Sequence, residues 1–186
     1  MSDKLFSALK FAAHAHMGQY RKGTSIPYLV HPVSVMQYLI KNNAPADAVI
    51  AGVLHDTLED TATTPAQLRA TFGDRVTELV IGASEPDKSL SWHERKAHTL
   101  ATLSQTSDIA QLMVCCADKL HNVTCTLNDY KQYGDAVWER FNRGYLDQKW
   151  YYTSLADIFA RHTSASAIFS DYIAVVRELF GTSGTN

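Results

Sequence analysis

His55 and Asp56 stand side by side at the carboxyl end of an apolar run that includes Val49, Ile50, Val53 and Leu54. An imidazole next to a carboxylate is a pair that can grip a divalent cation, and Glu59 and Asp60 follow within one helical turn. Neighbouring helical positions point about 100° apart, so both side chains reach one ion only if it lies at the flank of their helix. The other ligands must then come from different elements. His31, after the short run Tyr28-Leu29-Val30, and Asp118, at the polar edge of a second apolar helix, can supply them. Two imidazoles and two carboxylates suit Mn²⁺, Fe²⁺ or Zn²⁺ and leave positions for water and a phosphate oxygen. A cation held in this way lowers the pKa of water and polarises a phosphoryl group, with Glu59 or Asp60 in reach to manage the proton. Arg21 and Lys22 add positive charge upstream of His31.

Other reactive residue types carry less. His14 and His16 on the first helix, and His98 and His162 on later ones, read as surface or core histidines. His121 follows Asp118 by three residues and so points about 60° off its face, which argues against a ligand of a second metal. Cys115, Cys116 and Cys125 form no CxxC pair and leave an odd count, as expected of reduced, structural thiols in a cytoplasmic protein. Trp150, Tyr151 and Tyr152 read as core and interface aromatics.

The elements that must position these residues are helices nearly throughout. Ile109, Leu112, Met113, Cys116, Leu120, Val123 and Leu127 repeat with helical spacing, as do Ile168, Phe169, Tyr172, Ile173, Val176, Leu179 and Phe180. Thr64-Pro65-Ala66-Gln67 and Ser91-Trp92-His93-Glu94 are capping-box starts. Tyr28-Leu29-Val30 is β-prone but bracketed by Pro27 and Pro32, and is expected to be loop. The expectation is an all-α protein with a single domain over residues 1–180 and a disordered Gly/Ser/Thr-rich tail over 181–186.

The chain's 186 residues are enough for one well-buried core, and 46% apolar and 19% charged residues are ordinary for a globular domain. A net charge of −2 argues against nucleic acid as a partner. No run approaches the ~20 apolar residues of a membrane span. No apolar leader follows Met1-Ser2-Asp3-Lys4, and a cytoplasmic location without membrane contact is expected.

Four ordered segments carry a resemblance. Arg21-Lys22-Gly23…Pro27-Tyr28…His31-Pro32, Leu54-His55-Asp56-Thr57-Leu58-Glu59-Asp60-Thr61, Phe72-Gly73 and Asp118-Lys119-Leu120-His121-Asn122 resemble the HD hydrolase domain of the RelA/SpoT family, which makes and degrades the alarmones ppGpp and pppGpp. The likeness runs from about residue 3 to residue 160. The chain is too short for the synthetase and regulatory regions of the long members, and it resembles the stand-alone small alarmone hydrolases. Asp87 to Lys96 and the Trp150-Tyr151-Tyr152 run are similar to bacterial members of that subgroup.

The resemblance implies a compact multi-helix HD bundle and particular roles. His31, His55, Asp56 and Asp118 match the ligands of one divalent cation, Mn²⁺ in that family. Glu59 and Asp60 match the catalytic pair that positions and activates water. Arg21, Lys22 and Asn122 match contacts to the nucleotide, and Lys119 stands where the bifunctional enzymes commonly carry Arg. Arg95 and Lys96 match a segment that can contact phosphate, and Lys88 lies nearby. The implied reaction is hydrolysis of the 3′-pyrophosphate of (p)ppGpp to GDP or GTP plus pyrophosphate. Two alternatives stay open, namely an HD nucleotidase or phosphatase on another nucleotide (ppApp, NADPH), and an inactive nucleotide-sensing module. The intact Glu59-Asp60 pair speaks for an enzyme, and self-association is left undecided.

Overall fold

The computed structural model describes residues 2–85 and 89–181. Their helices are α1 (Ser2–Ala15), α2 (Val30–Lys41), α3 (Ala46–Leu54), α4 (Thr57–Asp60), α5 (Pro65–Ala83), α6 (Trp92–Gln105), α7 (Ile109–Tyr133), α8 (Tyr145–Phe159) and α9 (Ala167–Phe180). Short 3-10 segments occupy Gly134–Arg140 and Ala160–His162. Among the described residues, β structure is limited to one isolated bridge between Tyr20 and Pro27, so the all-α expectation holds. Lys88 and most of the expected tail lie outside the described residues.

The helix starts follow from local chemistry. Thr64 and Ser91 accept from the backbone N–H groups of Gln67 and Glu94 and receive both side chains in return, closing the two capping boxes. Asp108 caps α7 through the N–H groups of Ala110 and Gln111. One boundary differs from the expectation: Val30 is not loop but already opens α2. Pro32 does not prevent this because it sits in the first turn, where a backbone N–H has no partner within the helix. His31 therefore projects from a helix start and not from a loop. Gly73 interrupts α5 with φ +80°, a left-handed conformation that glycine adopts without strain.

Two helices form the centre. α3 is buried on every side from Ala48 to Leu54 and packs on α1, α2, α5 and α7. α7 packs on α2, α3, α5, α8 and α9, and α6 pairs with α8 at one flank. α2 packs tightly on α3 at Gly52, where a Cβ would lie 2.3 Å from Leu39 Cδ1. That contact brings α2, which carries His31, against the end of α3, where His55 sits. No helix among the described residues is long and apolar enough to cross a membrane.

Candidate active site

Three elements distant along the chain bring their polar groups to one point. His31 in the first turn of α2, His55 at the end of α3 and Asp118 in α7 are all buried, and one ligand atom from each lies within 4.8 Å of the others. The Nε2 atoms of His31 and His55 are 3.2 Å apart, and Asp118 Oδ1 lies 3.2 Å from the first and 3.7 Å from the second. Asp56 Oδ2 lies 3.0 Å from His55 Nε2 and 3.4 Å from His31 Nε2. The expected set of two imidazoles and two carboxylates is thus assembled in space.

The protonation pattern fits a cation. His55 Nδ1 lies 2.8 Å from the Gly52 carbonyl, which can only accept, so Nδ1 carries a proton and Nε2 is the nitrogen turned to the cluster. That nitrogen faces a second imidazole nitrogen and two carboxylates. Burial opposes charge on His55, but Asp56 and Asp118 outweigh it and hold its pKa well above the ordinary value. Burial likewise opposes charge on Asp56, yet His55 and His31 draw its pKa well below the carboxylate range. At Asp118 burial is outweighed by Lys119, then by His31 and His55, with the same result. Two anionic carboxylates and two imidazole nitrogens converging on one point call for positive charge, and the donor set suits a borderline divalent ion.

Surrounding groups fix the carboxylates. The Tyr28 hydroxyl donates to Asp56 Oδ2 at 2.6 Å and approaches Asp60 Oδ2 at 3.4 Å. Lys119 Nζ lies 2.6 Å from Asp118 Oδ2, and Asn122 Nδ2 donates to Asp118 Oδ1 at 2.6 Å. Asn122 Oδ1 in turn accepts from Arg21 Nη2 at 2.7 Å, and the guanidinium stands 5.7 Å from the Tyr28 ring centroid. Arg21, Asn122 and Asp118 therefore form one chain leading to the cluster. On another side, Glu59 Oε1 accepts from the Glu85 backbone N–H at 2.5 Å. Burial raises the Glu59 pKa despite that bond and the nearby Lys119.

The cluster opens on a cavity of about 600 Å³. Lys96, Lys119, Trp92, Tyr151 and His31 line it at the ion end, and Arg21, Lys22, Asn128, Asp129 and Arg140 line it elsewhere. Lys96 Nζ pairs with Glu85 Oε1 and lies 4.7 Å from the Tyr151 ring centroid. At the other end Lys22 donates to Asn142 Oδ1 at 3.0 Å and Arg140 pairs with Asp129 at 2.9 Å.

Of the sequence-derived substrate contacts, Arg21, Lys22, Lys96, Lys119 and Asn122 line the cavity. Arg95 does not: its Nε donates to Glu85 Oε2 at 2.8 Å and its Nη1 to the Leu90 carbonyl at 2.6 Å. Tyr28, Glu85, His121, Tyr151 and Tyr152 received no role from sequence. Tyr151 and Tyr152 are buried, as expected of core aromatics, yet they also form cavity wall, and the Tyr151 hydroxyl has no hydrogen-bond partner among the described residues. Their apolar rings hide this double use from any reading of periodicity. Tyr28 lies inside the Pro27-Tyr28…His31 segment, so its spacing to His31 was the one available signal. Cys115 and Cys116 are buried free thiols, and burial raises the pKa of both.

The sequence profile of the HD domain family matches residues 8–143, and the chain belongs to that family, alongside the RelA/SpoT-type hydrolase domains. It is 39% identical over 123 residues to the mouse guanosine-3′,5′-bis(diphosphate) 3′-pyrophosphohydrolase MESH1, covering 64% of this chain and 68% of the mouse protein. It is 35% identical over 124 residues to the Borreliella burgdorferi protein of the same enzymatic name, covering 64% of this chain but 18% of that much longer relative. Other long bacterial relatives are likewise matched over only 14–18% of their length. The crystal structure of lmo0812 from Listeria monocytogenes EGD-e superposes with a TM-score of 0.75 at 36% identity, over 81% of this chain and 98% of that one.

Proposed function

We propose that this protein is a small alarmone hydrolase that cleaves the 3′-pyrophosphate of (p)ppGpp to GDP or GTP plus pyrophosphate. One observation carries the reading: a buried His/His/Asp cluster, joined by Asp56, opens on a cavity with cationic side chains at both ends. A nucleotide phosphorylated on both sides of its ribose matches such a cavity better than a simple monophosphate does. The names of the mouse and bacterial relatives support the same substrate class.

In this proposal His31, His55, Asp56 and Asp118 hold one divalent cation, with Mn²⁺ the favoured ion. When bound, the cation supplies Lewis-acid activation of water and of the phosphoryl group. Glu59, whose raised pKa suits it to accept a proton, takes one from the attacking water. Asp60, 3.4 Å from the Tyr28 hydroxyl, helps to orient that water. Tyr28 and Lys119 hold the two carboxylate ligands in place through bonds of 2.6 Å each. Lys96 and Lys119 face the scissile pyrophosphate, with Arg95 acting on Lys96 through the shared Glu85 carboxylate. Arg21 stacks on the purine while Lys22 and Asn122 steady the nucleoside. Water attacks the phosphorus bound to the ribose 3′ oxygen; that P–O bond breaks, and the leaving oxygen is protonated. The cytoplasm, where thiols stay reduced, is the proposed compartment.

The test is product analysis with Mn²⁺ supplied, using ppGpp, pppGpp, ppApp and NADPH. Pyrophosphate released together with GDP or GTP, and lost on chelation, is the expected result. Intact ppGpp beside cleaved NADPH or nucleoside monophosphate would overturn the substrate. Tight ppGpp binding without turnover would instead make the chain a sensor.

A further inference from the structure

The two imidazoles of the cluster are oriented by different means. His55 leans on the backbone, through the Gly52 carbonyl. His31 leans on another side chain: its Nδ1 lies 2.7 Å from Nδ1 of His121, with the rings 4.8 Å apart and inclined by 35°. Two ring nitrogens at that distance share one proton, donated by one and accepted by the other. His31 Nε2, the atom that meets His55, Asp56 and Asp118, can present a lone pair there only if the shared proton rests on His31 Nδ1. His121 Nδ1 is then the acceptor, and the His121 proton lies on Nε2, 3.6 Å from Cys125 Sγ. Asp118, His121, Asn122 and Cys125 stand at i, i+3, i+4 and i+7, so one face of α7 presents all four.

We infer that His121 is a positioning residue for the cation, setting both the tautomer and the ring plane of His31. Partners of this kind, bonded to the far nitrogen of a ligating histidine, govern metal affinity as well as geometry. His121 also lines the cavity, so the His31 support, unlike the His55 support, is part of the wall that a ligand touches. The inference rests on the reading that these residues hold a cation, and not on which nucleotide is cleaved.

The experiment is titration of the full chain with Mn²⁺ alone, reading free Mn²⁺ by its paramagnetic resonance, for wild type, His121→Leu and His121→Asn. His121→Leu removes the acceptor and is expected to weaken Mn²⁺ binding about 10–100-fold. His121→Asn places an amide oxygen near the Nδ1 position and is expected to restore most of the affinity. Excess Mn²⁺ should return the turnover of His121→Leu towards wild type. A His121→Leu variant that folds, by its melting curve, and binds Mn²⁺ as tightly as wild type overturns the inference. So does a His121→Asn variant as weak as His121→Leu, or the loss of a second bound Mn²⁺ in either, which would make His121 a ligand. Wild type that binds no divalent cation would remove the metal reading itself, an outcome distinct from all of these.

Discussion

The two ends of the cavity are built on opposite principles. At the cluster end, His31, His55 and Asp118 are 1%, 2% and 6% exposed, and they sit at the start of α2, the end of α3 and within α7. At the other end, Lys22, Asn142, Asp129 and Arg140 are exposed or half-exposed, and two loops and a 3-10 segment carry three of them. Buried charges that are paired and hydrogen-bonded are costly to disturb, whereas exposed pairs contribute roughly 0–1 kcal/mol. The contrast teaches that polar groups are preorganised where helices cross and are left adjustable where they do not.

The strongest way to break that contrast is at the ion end. Asp56→Ala or Asp118→Ala should lower turnover by about 10³-fold or more and abolish tight Mn²⁺ binding, measured by pyrophosphate release and by cation titration. Glu59→Gln should cost about 10²–10⁴-fold in turnover while cation binding persists. The proposed role of Glu59 requires its carboxylate form, and burial raises its pKa. Wild-type activity should therefore fall with decreasing pH through a midpoint above that of an ordinary Glu, and Glu59→Gln should lose that limb of the profile. Retention of the limb would remove Glu59 from the proton transfer.

Smaller effects sharpen the boundary between the ends. Asn122 is bonded on both sides to charged groups, Asp118 and Arg21, at 2.6 and 2.7 Å. Hydrogen bonds to charged groups are worth about 1.5–3 kcal/mol, so Asn122→Ala should reduce kcat/KM about 10–150-fold and weaken Mn²⁺ binding as well. A pure KM effect with unchanged Mn²⁺ affinity would uncouple the nucleotide arm from the cluster. Arg140→Ala should raise KM less than about 10-fold and leave kcat alone, because its ion pair with Asp129 is only partly shielded. An Arg140→Ala loss as large as that of Glu59→Gln would end the distinction between the two regions.

Much of this was legible in the chain itself. The apolar spacing of Ile109 to Leu127 marked α7, and the Thr64 and Ser91 capping boxes marked α5 and α6, because these are local rules of backbone and side chain. His31, His55, Asp56 and Asp118 were selected by residue type and order, and the structure brings them together. Tyr28, His121 and Glu85 were given no supporting role because each acts through a residue far away in sequence. His121 shows the limit plainly: its angle from Asp118 argued against a second metal site, and no periodicity could reveal His31, ninety residues earlier, against its ring. Arg95 shows the converse, since a cation near a phosphate-contact segment says nothing of the Glu85 that engages it.

The sequence by itself determined which helices form and which side chains are able to bind a cation or move a proton, since propensity, capping and acid–base character belong to residues and their near neighbours. Tertiary structure alone decided that α2 packs on α3 at Gly52, that α2, α3 and α7 meet at the His/His/Asp cluster, which carbonyl or ring orients each imidazole, and how far the carboxylate pKa values move. Those properties depend on distances and burial between segments that are remote along the chain, and only the packed core sets them.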